Sequence, residues 1–503
     1  MKNIEEIISN LKVSIYHEPD IVYPEKPPYN PHTAYPEYFL NNVSIEANDV
    51  YNAVRNALLL LGLDKKNYNT PQWNPFKDII KHGNTVVVKP NFVLSKHDKE
   101  GDLFSIITHP SIIRAVVDYV YIALAGKGKI IIADAPQMDC DFKELLKIIK
   151  LETIQELYKK ELNFDIEIYD LRDFWLDNKG DPKNIYSINR HKLPGDPLGG
   201  VVVNLGKDSL FYEVEKYKKF YGADYNREET IKHHHNDIQE YLISKTILSA
   251  DTIISIPKLK VHKKVGVTLN IKGLVGICTN KNYLVHYTLG TPSKGGDQFP
   301  DHILNFKETM IVKLQRRLYD SLLSKKNSKT DILYRLIINI GKYLKLLGFK
   351  KDKKKIILDC GNWYGNDSAW RMAIDLLKIF IYADKEGNLR NTPIRKMFSL
   401  VDGIIGGERE GPLTPDSKKC GVIVAGFNLC AVDLVCARIM GFDCNKIKML
   451  NYILNQKGLF KVDVDKIKLS SNYNYKDFFN KRNKNKYFNF EPPSGWEGFI
   501  EIC

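Results

Sequence analysis

The chain has 503 residues, 44% hydrophobic and 27% charged, the balance of a globular protein with room for a large core. Its formal net charge of +14 invites a nucleic-acid reading, but Lys313 to Lys355 alone holds 14 Lys or Arg against 3 Asp, a local excess of +11, so global charge does not favour nucleic acid. The eight cysteines form no CxxC pair, the N-terminus has no signal peptide, and no apolar run approaches about 18 residues; a cytoplasmic protein without disulfides, structural zinc or transmembrane helix is expected.

Residues 1–80 read as a proline-containing lead-in, with YPEKPPYNPHTAYPEYF as an extended loop and a helix at Ala47–Leu61. Regular alternation begins at Thr85. TVVVK, KIIIAD and DIEIYDL read as strands, with helical spacing in HPSIIRAVVDYVYIALAG and FKELLKIIKLETIQELYKKE between them. That order predicts right-handed βαβ units and a parallel sheet. After a less regular stretch at 170–250, the strand pattern resumes at ADTIISI, KIILDC, FSLVDGII and GVIVAG, with helices at SAWRMAIDLLKIFIYA and LCAVDLVCARIMG. The expected class is α/β: mostly parallel sheet flanked by helices, with an inserted basic helical pair. The expected parts are the lead-in 1–80, α/β halves at 81–300 and 356–460, the helical insertion 301–355 and a peripheral C-terminal segment 461–503.

Ligands of open parallel sheets bind outside the carboxyl ends of the strands. Polar residues collect there in this sequence. The first strand ends in Lys89-Pro90-Asn91, the second in Asp134, IISI in Pro257-Lys258-Leu259-Lys260, and SLV in Asp402-Gly403 before Gly406-Gly407-Glu408. Thr108 is placed to cap the helix that follows His109, whose N-terminus can face an anion. Lysines just past a buried strand attract carboxylate or phosphate, and one held in a partly desolvated pocket can act as a base or imine former. Lys258 and Lys260 are read in this way, whereas Lys263 and Lys264 are expected to reach solvent.

The next run, GVTLNIKGLVGIC, reads as a loop or short helix against the crevice, with Asn270 and Lys272 as binding groups. Downstream of His286, the pair Gly295-Gly296 precedes Asp297 and can cradle a phosphate or present a metal ligand. Asn366 and Asp367 precede a helix, with Asp367 or Ser368 as a plain N-cap alternative. Asp402, Glu408 and Glu410 stand in a glycine-rich turn with room for a divalent ion or general base. His233, His234 and His235 are adjacent and point in different directions, so one metal site from all three is not expected.

VVVKPNFV with THPSIIRAVVDY, ADTIISIPKLKVHKKVGVTLNIKGLVGI, GGDQFP, GNWYGNDSAWRMAIDL, and VDGIIGGEREGPLTP with AVDLVCARIMGFD together resemble an uncharacterised family, domain of unknown function 362. The resemblance spans Thr85 to about Lys446 and rests on the combination of motifs. It implies an α/β intracellular protein of bacterial or archaeal type and brings no established reaction. Many members carry a ferredoxin-like four-cysteine cluster motif, which this sequence lacks, so no iron–sulfur cluster is expected. Tyr364 stands where His is common, and Arg409-Glu410 where the usual text is closer to GNGP.

The expectation is an enzyme acting on a small anionic metabolite. Lys89, Lys258, Lys260 and Lys272 would hold carboxylate or phosphate, with Asn91, His109, Asn270, Asn366 and Asp367 as further binding groups. Catalysis would fall to Lys258, Lys260, His262, Asp402 and Glu408, with His262 as a proton shuttle and Asp297 and Glu410 as ligands of a possible divalent metal. The rival expectation is a non-catalytic protein docking to nucleic acid or anionic membrane through the basic 313–355 segment.

Overall fold

The valines of TVVVK and the isoleucines of KIIIAD lie side by side, buried on both faces, within one large sheet. The computed structural model describes residues 3–176, 190–214, 217–222, 227–305, 308–310, 312–314, 316, 332, 336, 339, 358–456, 461–475, 477–480, 483, 485 and 487–502. The expected helical pair at 301–355 lies largely outside the described residues.

The strands of the large sheet are β1 (Lys12–His17), β2 (Thr85–Pro90), β3 (Lys129–Asp134), β4 (Ile166–Asp170), β5 (Thr252–Ile256), β6 (Lys258–His262), β7 (Gly266–Val267), β8 (Lys396–Glu408), β9 (Asp416–Gly426) and β10 (Lys468–Ser471). Their order is β10-β1-β9-β8-β5-β2-β3-β4, with β6 and β7 off this path. β8, β5, β2, β3 and β4 are mutually parallel, and β9 runs against both of its neighbours, β8 and β1. The fold is therefore α/β with a large, mostly parallel sheet flanked by helices. Continuous apolar strands suit such a sheet because helices cover both faces.

On one face pack α1 (Asp49–Leu60) and α2 (Pro110–Leu124); on the other pack α6 (Ala369–Tyr382) and α7 (Leu429–Met440), with α3 (Phe142–Ile149), α4 (Glu152–Leu162) and α5 (Asn270–Gly273) among the helices between them in the chain. The lead-in contributes more than a loop. Val13 and Ile15 of β1 are fully buried, and β1 joins β9 to the edge strand β10. Its six-residue alternation was too short to stand out among the prolines around it. Near the other end, Leu358 is helical and Asp359–Gly361 is a 3-10 turn, so the described part of KIILDC is not the expected strand. Cys360 there has φ of 64°, which breaks an extended chain.

β8 organises the site end of the sheet. Its first residues pair with β5, and its later residues pair with β6, Lys258 opposite Asp402 and Lys260 opposite Gly407, with a register shift between them. The chain leaving β5 thus stays against the same long strand after passing Pro257. The hairpin β6–β7 then returns it to α5 beneath the crevice.

Candidate functional site: a lysine-lined cavity at the strand ends

Two polar clusters form at the carboxyl end of the sheet, and they differ in kind. The first is closed. Lys258 Nζ lies 3.1 Å from Asp402 Oδ2, both side chains fully buried. Lys258 also donates to the Tyr23 hydroxyl at 2.6 Å, and that hydroxyl donates to Asp402 Oδ1 at 2.6 Å. The backbone N–H of His109 donates to Asp402 Oδ2 at 2.9 Å, and the imidazole stacks on Tyr23 with centroids 4.0 Å apart. His109 caps α2 through Nδ1, which accepts from Ser111 N, while Thr108 donates to the Ile256 carbonyl. The expected cap is displaced by one residue because Thr108 bridges β5 to the end of β2. The start of α2 faces an internal carboxylate.

The second cluster is an open cavity of about 400 Å³. Its wall includes Asn91, Asp134, Asp139, Lys260, His262, Lys263, Lys264, Thr268, Lys272, Gly273, Gly276, Lys281, His286, Tyr287 and Cys360. Five lysines against two aspartates give it a positive character. One of the acids is already engaged: Asp134 accepts Lys89 Nζ at 2.8 Å and the Phe92 N–H at 2.8 Å.

The lysines find few acceptors. Lys260 Nζ donates to the carbonyls of Ile106 at 2.6 Å and Pro412 at 3.1 Å. Lys281 Nζ is held by the carbonyls of Ala135, Val275 and Cys278. Lys264 donates to the Cys360 carbonyl and lies 5.4 Å from the Tyr287 ring centroid. It and Lys263 are only half-buried, yet both line the cavity rather than merely extending into solvent. Lys272 is 6% exposed and has no hydrogen-bond or ion-pair partner among the described residues. None of Lys260, Lys264, Lys272 or Lys281 has a carboxylate of the described residues within ion-pairing distance. Burial therefore penalises their charged forms, and each also feels neighbouring lysines. Lys260 is drawn well below the ordinary lysine range, Lys264 and Lys281 to about 8, and Lys272 to about 7.

Two imidazoles share this wall with opposite hydrogen-bond settings. His262 Nδ1 accepts the Lys264 N–H at 3.0 Å, so the neutral ring carries its proton on Nε2 and can donate. His286 Nδ1 lies 3.0 Å from the Leu284 carbonyl, so its proton sits on Nδ1 and Nε2 keeps a free lone pair. Burial, reinforced by Lys272 and Lys264, holds both well below the usual imidazole range and hence neutral.

The remaining expected residues lie elsewhere. Asn270 N and Nδ2 and Ile271 N all donate to the Asp433 carboxylate of α7, anchoring α5. Burial pushes the Asp433 carboxyl up to about 7. Asn366 bonds the carbonyls of His286 and Gly361 and accepts from Ser368 N and Ala369 N at the start of α6. Asp367 pairs with Arg371 at 2.8 Å and Lys448 at 3.2 Å. Asp297 accepts from Thr288 N, Asp367 N and Ser368 Oγ, bracing the same junction. Glu408 pairs with Lys418 at 2.7 Å, and Glu410 accepts from Ser494. Asp297 and Glu410 thus have separate protein partners, and no cluster of three or more His, Cys, Asp or Glu side chains suited to a metal forms among the described residues. Each of the adjacent histidines 233 and 234 also has its own partner, Glu240 for one and Gln239 with the Tyr283 carbonyl for the other.

Of the expected residues the structure brings Asn91, Lys260, His262 and Lys272 to the cavity, with Lys89 behind Asp134. Lys281, Cys360 and Tyr287 are cavity residues that the strand-end rule did not reach, because the first two arrive on 3-10 turns and Tyr287 on a two-residue strand outside the large sheet. Asp134 and His286 were visible as a strand end and as a motif neighbour.

A mostly parallel α/β sheet with a lysine-lined cavity at its strand ends defines the class. Within that class the chain belongs to the family described as Domain of unknown function (DUF362), whose model matches residues 86–179 and 195–438. No curated protein and no solved structure matches it. Every residue lining the cavity falls inside the two matched spans.

Proposed function

We propose that this protein is an enzyme that binds a small carboxylate- or phosphate-bearing metabolite in the lysine-lined cavity. One observation carries the reading: Lys260, Lys264, Lys272 and Lys281 converge on one cavity with no carboxylate partner among the described residues. Burying several cations without counter-ions is costly, and a bound anion offsets that cost. The reading as a catalyst is supported by the neutral imidazoles of His262 and His286, one presenting an N–H hydrogen-bond donor and the other a lone pair able to take a proton. A reaction involving proton transfer on the bound anion is the chemistry that these groups suit.

The test is a thermal-shift titration with malonate, inorganic phosphate and a panel of larger carboxylates and phosphates. A ligand at about 100 times its dissociation constant stabilises the wild type by roughly 2.7 kcal/mol. The Lys260→Met/Lys272→Met double variant is expected to lose most of that response. An equal response in the double variant would place binding elsewhere.

A further inference from the structure

Lys272 differs from the other lysines of the cavity. Lys260, Lys264 and Lys281 are each fixed by backbone carbonyls, whereas Lys272 Nζ has no partner among the described residues although the side chain is nine-tenths buried. Its backbone is held rigidly: α5 is tied at Asn270 and Ile271 to the buried Asp433 carboxylate. There is room beside it, since a Cβ on the adjacent Gly273 would meet no atom within 4 Å. An unpartnered amine on an anchored backbone, facing a cavity ringed by cations, is arranged as a nucleophile for the carbonyl of an anionic molecule.

We propose that Lys272 forms an imine with an oxo acid whose carboxylate is held by Lys260, Lys264 and Lys281. This rests on the anion-binding reading above. The Nζ lone pair attacks the carbonyl carbon, forming the C–N bond and a carbinolamine. That adduct loses its oxygen as water, leaving a C=N bond; one carbonyl and one amine give one imine and one water, with no oxidant or reductant consumed. The Nε2–H of His262 can hydrogen-bond the departing hydroxyl, and Nε2 of His286 can accept the proton leaving nitrogen and pass it to that hydroxyl, which departs as water. Because burial and the surrounding lysines draw Lys272 to about 7, a large share of the amine is uncharged near neutral pH.

The experiment incubates the full-length protein with pyruvate or 2-oxoglutarate and sodium cyanoborohydride, followed by intact mass and peptide mapping. A stable secondary amine on Lys272 is expected, formed at least tenfold faster than on any other lysine and suppressed by excess malonate. Lys272→Arg, which carries a fixed positive charge and cannot condense, is expected to lose the adduct while retaining a malonate thermal shift. Malonate has no ketone, so it separates the two claims. A malonate shift without any adduct on Lys272, or an adduct mapped to another lysine, overturns the imine and leaves the anion site standing. No malonate shift and no adduct overturns both.

Discussion

Lys258 and Lys260 stand two residues apart on β6, both fully buried, yet they occupy different environments. Lys258 is consumed by Asp402 and Tyr23, whereas Lys260 meets only carbonyls and the cavity. Removing one partner of a buried pair strands the other charge. Lys258→Met is therefore expected to cost about 3–5 kcal/mol in chemical denaturation, without any role in ligand contact; a loss below about 1 kcal/mol would show that the pair is not intact. Lys272→Met should behave in the opposite way. In the folded state its amine sits at about 7, below its value in the unfolded chain, so the unfolded chain binds the proton more tightly. The penalty is fully present below about pH 7 and is relieved as pH rises towards the ordinary lysine value of about 10.4. Lys272→Met should thus be more stable than wild type at neutral pH, with the gap closing in alkali; denaturant midpoints at the two pH values measure it. A variant less stable at neutral pH contradicts an unpartnered Lys272.

At the scale of elements, the short turn from Asn270 to Ile277 positions much of the site. Gly276 sits where a Cβ would come within 2.0 Å of Asp134 Oδ1 and 2.7 Å of Lys89 Nζ. Gly276→Ala must displace that pair, and a cost of about 1–3 kcal/mol in stability is expected, together with weakened anion binding. Unaltered stability and binding would mean that the turn shifts freely. This stretch was legible as a loop or short helix because its glycines and lone polar residues interrupt an apolar run. The separation of Asn270 from Lys272 was not legible: it depends on Asp433, a residue of α7 that is distant in sequence, taking the Asn270 amide. For the same reason Glu408 looked catalytic until its partner Lys418, across the β8–β9 pairing, came into view. Strand ends reveal which polar residues emerge together; they do not reveal which of them neutralise one another.

Across the whole molecule, the sheet brings the ends of β2, β3 and β6 together with α5 and with Cys360 of the later half, so the cavity draws on both matched spans of the family. β1 and β10, from the two ends of the chain, lie beyond those spans at the far side of the sheet. Among the described residues no helix is long and apolar enough to cross a membrane. The central claim is that buried, partly discharged lysines receive an anion. Binding should then pull protons onto Lys264 and Lys281, which both lie at about 8. Lys260, His262 and His286 face the same space and share in that linkage. Affinity for an anion should rise as pH falls through this range, because the protonated forms bind it. The most direct measurement is calorimetric titration with malonate or phosphate at about pH 8, in two buffers of different ionisation enthalpy. Net proton uptake on binding, absent in Lys260→Met/Lys272→Met, is the predicted result. Binding with no proton uptake, or proton release, would contradict the account.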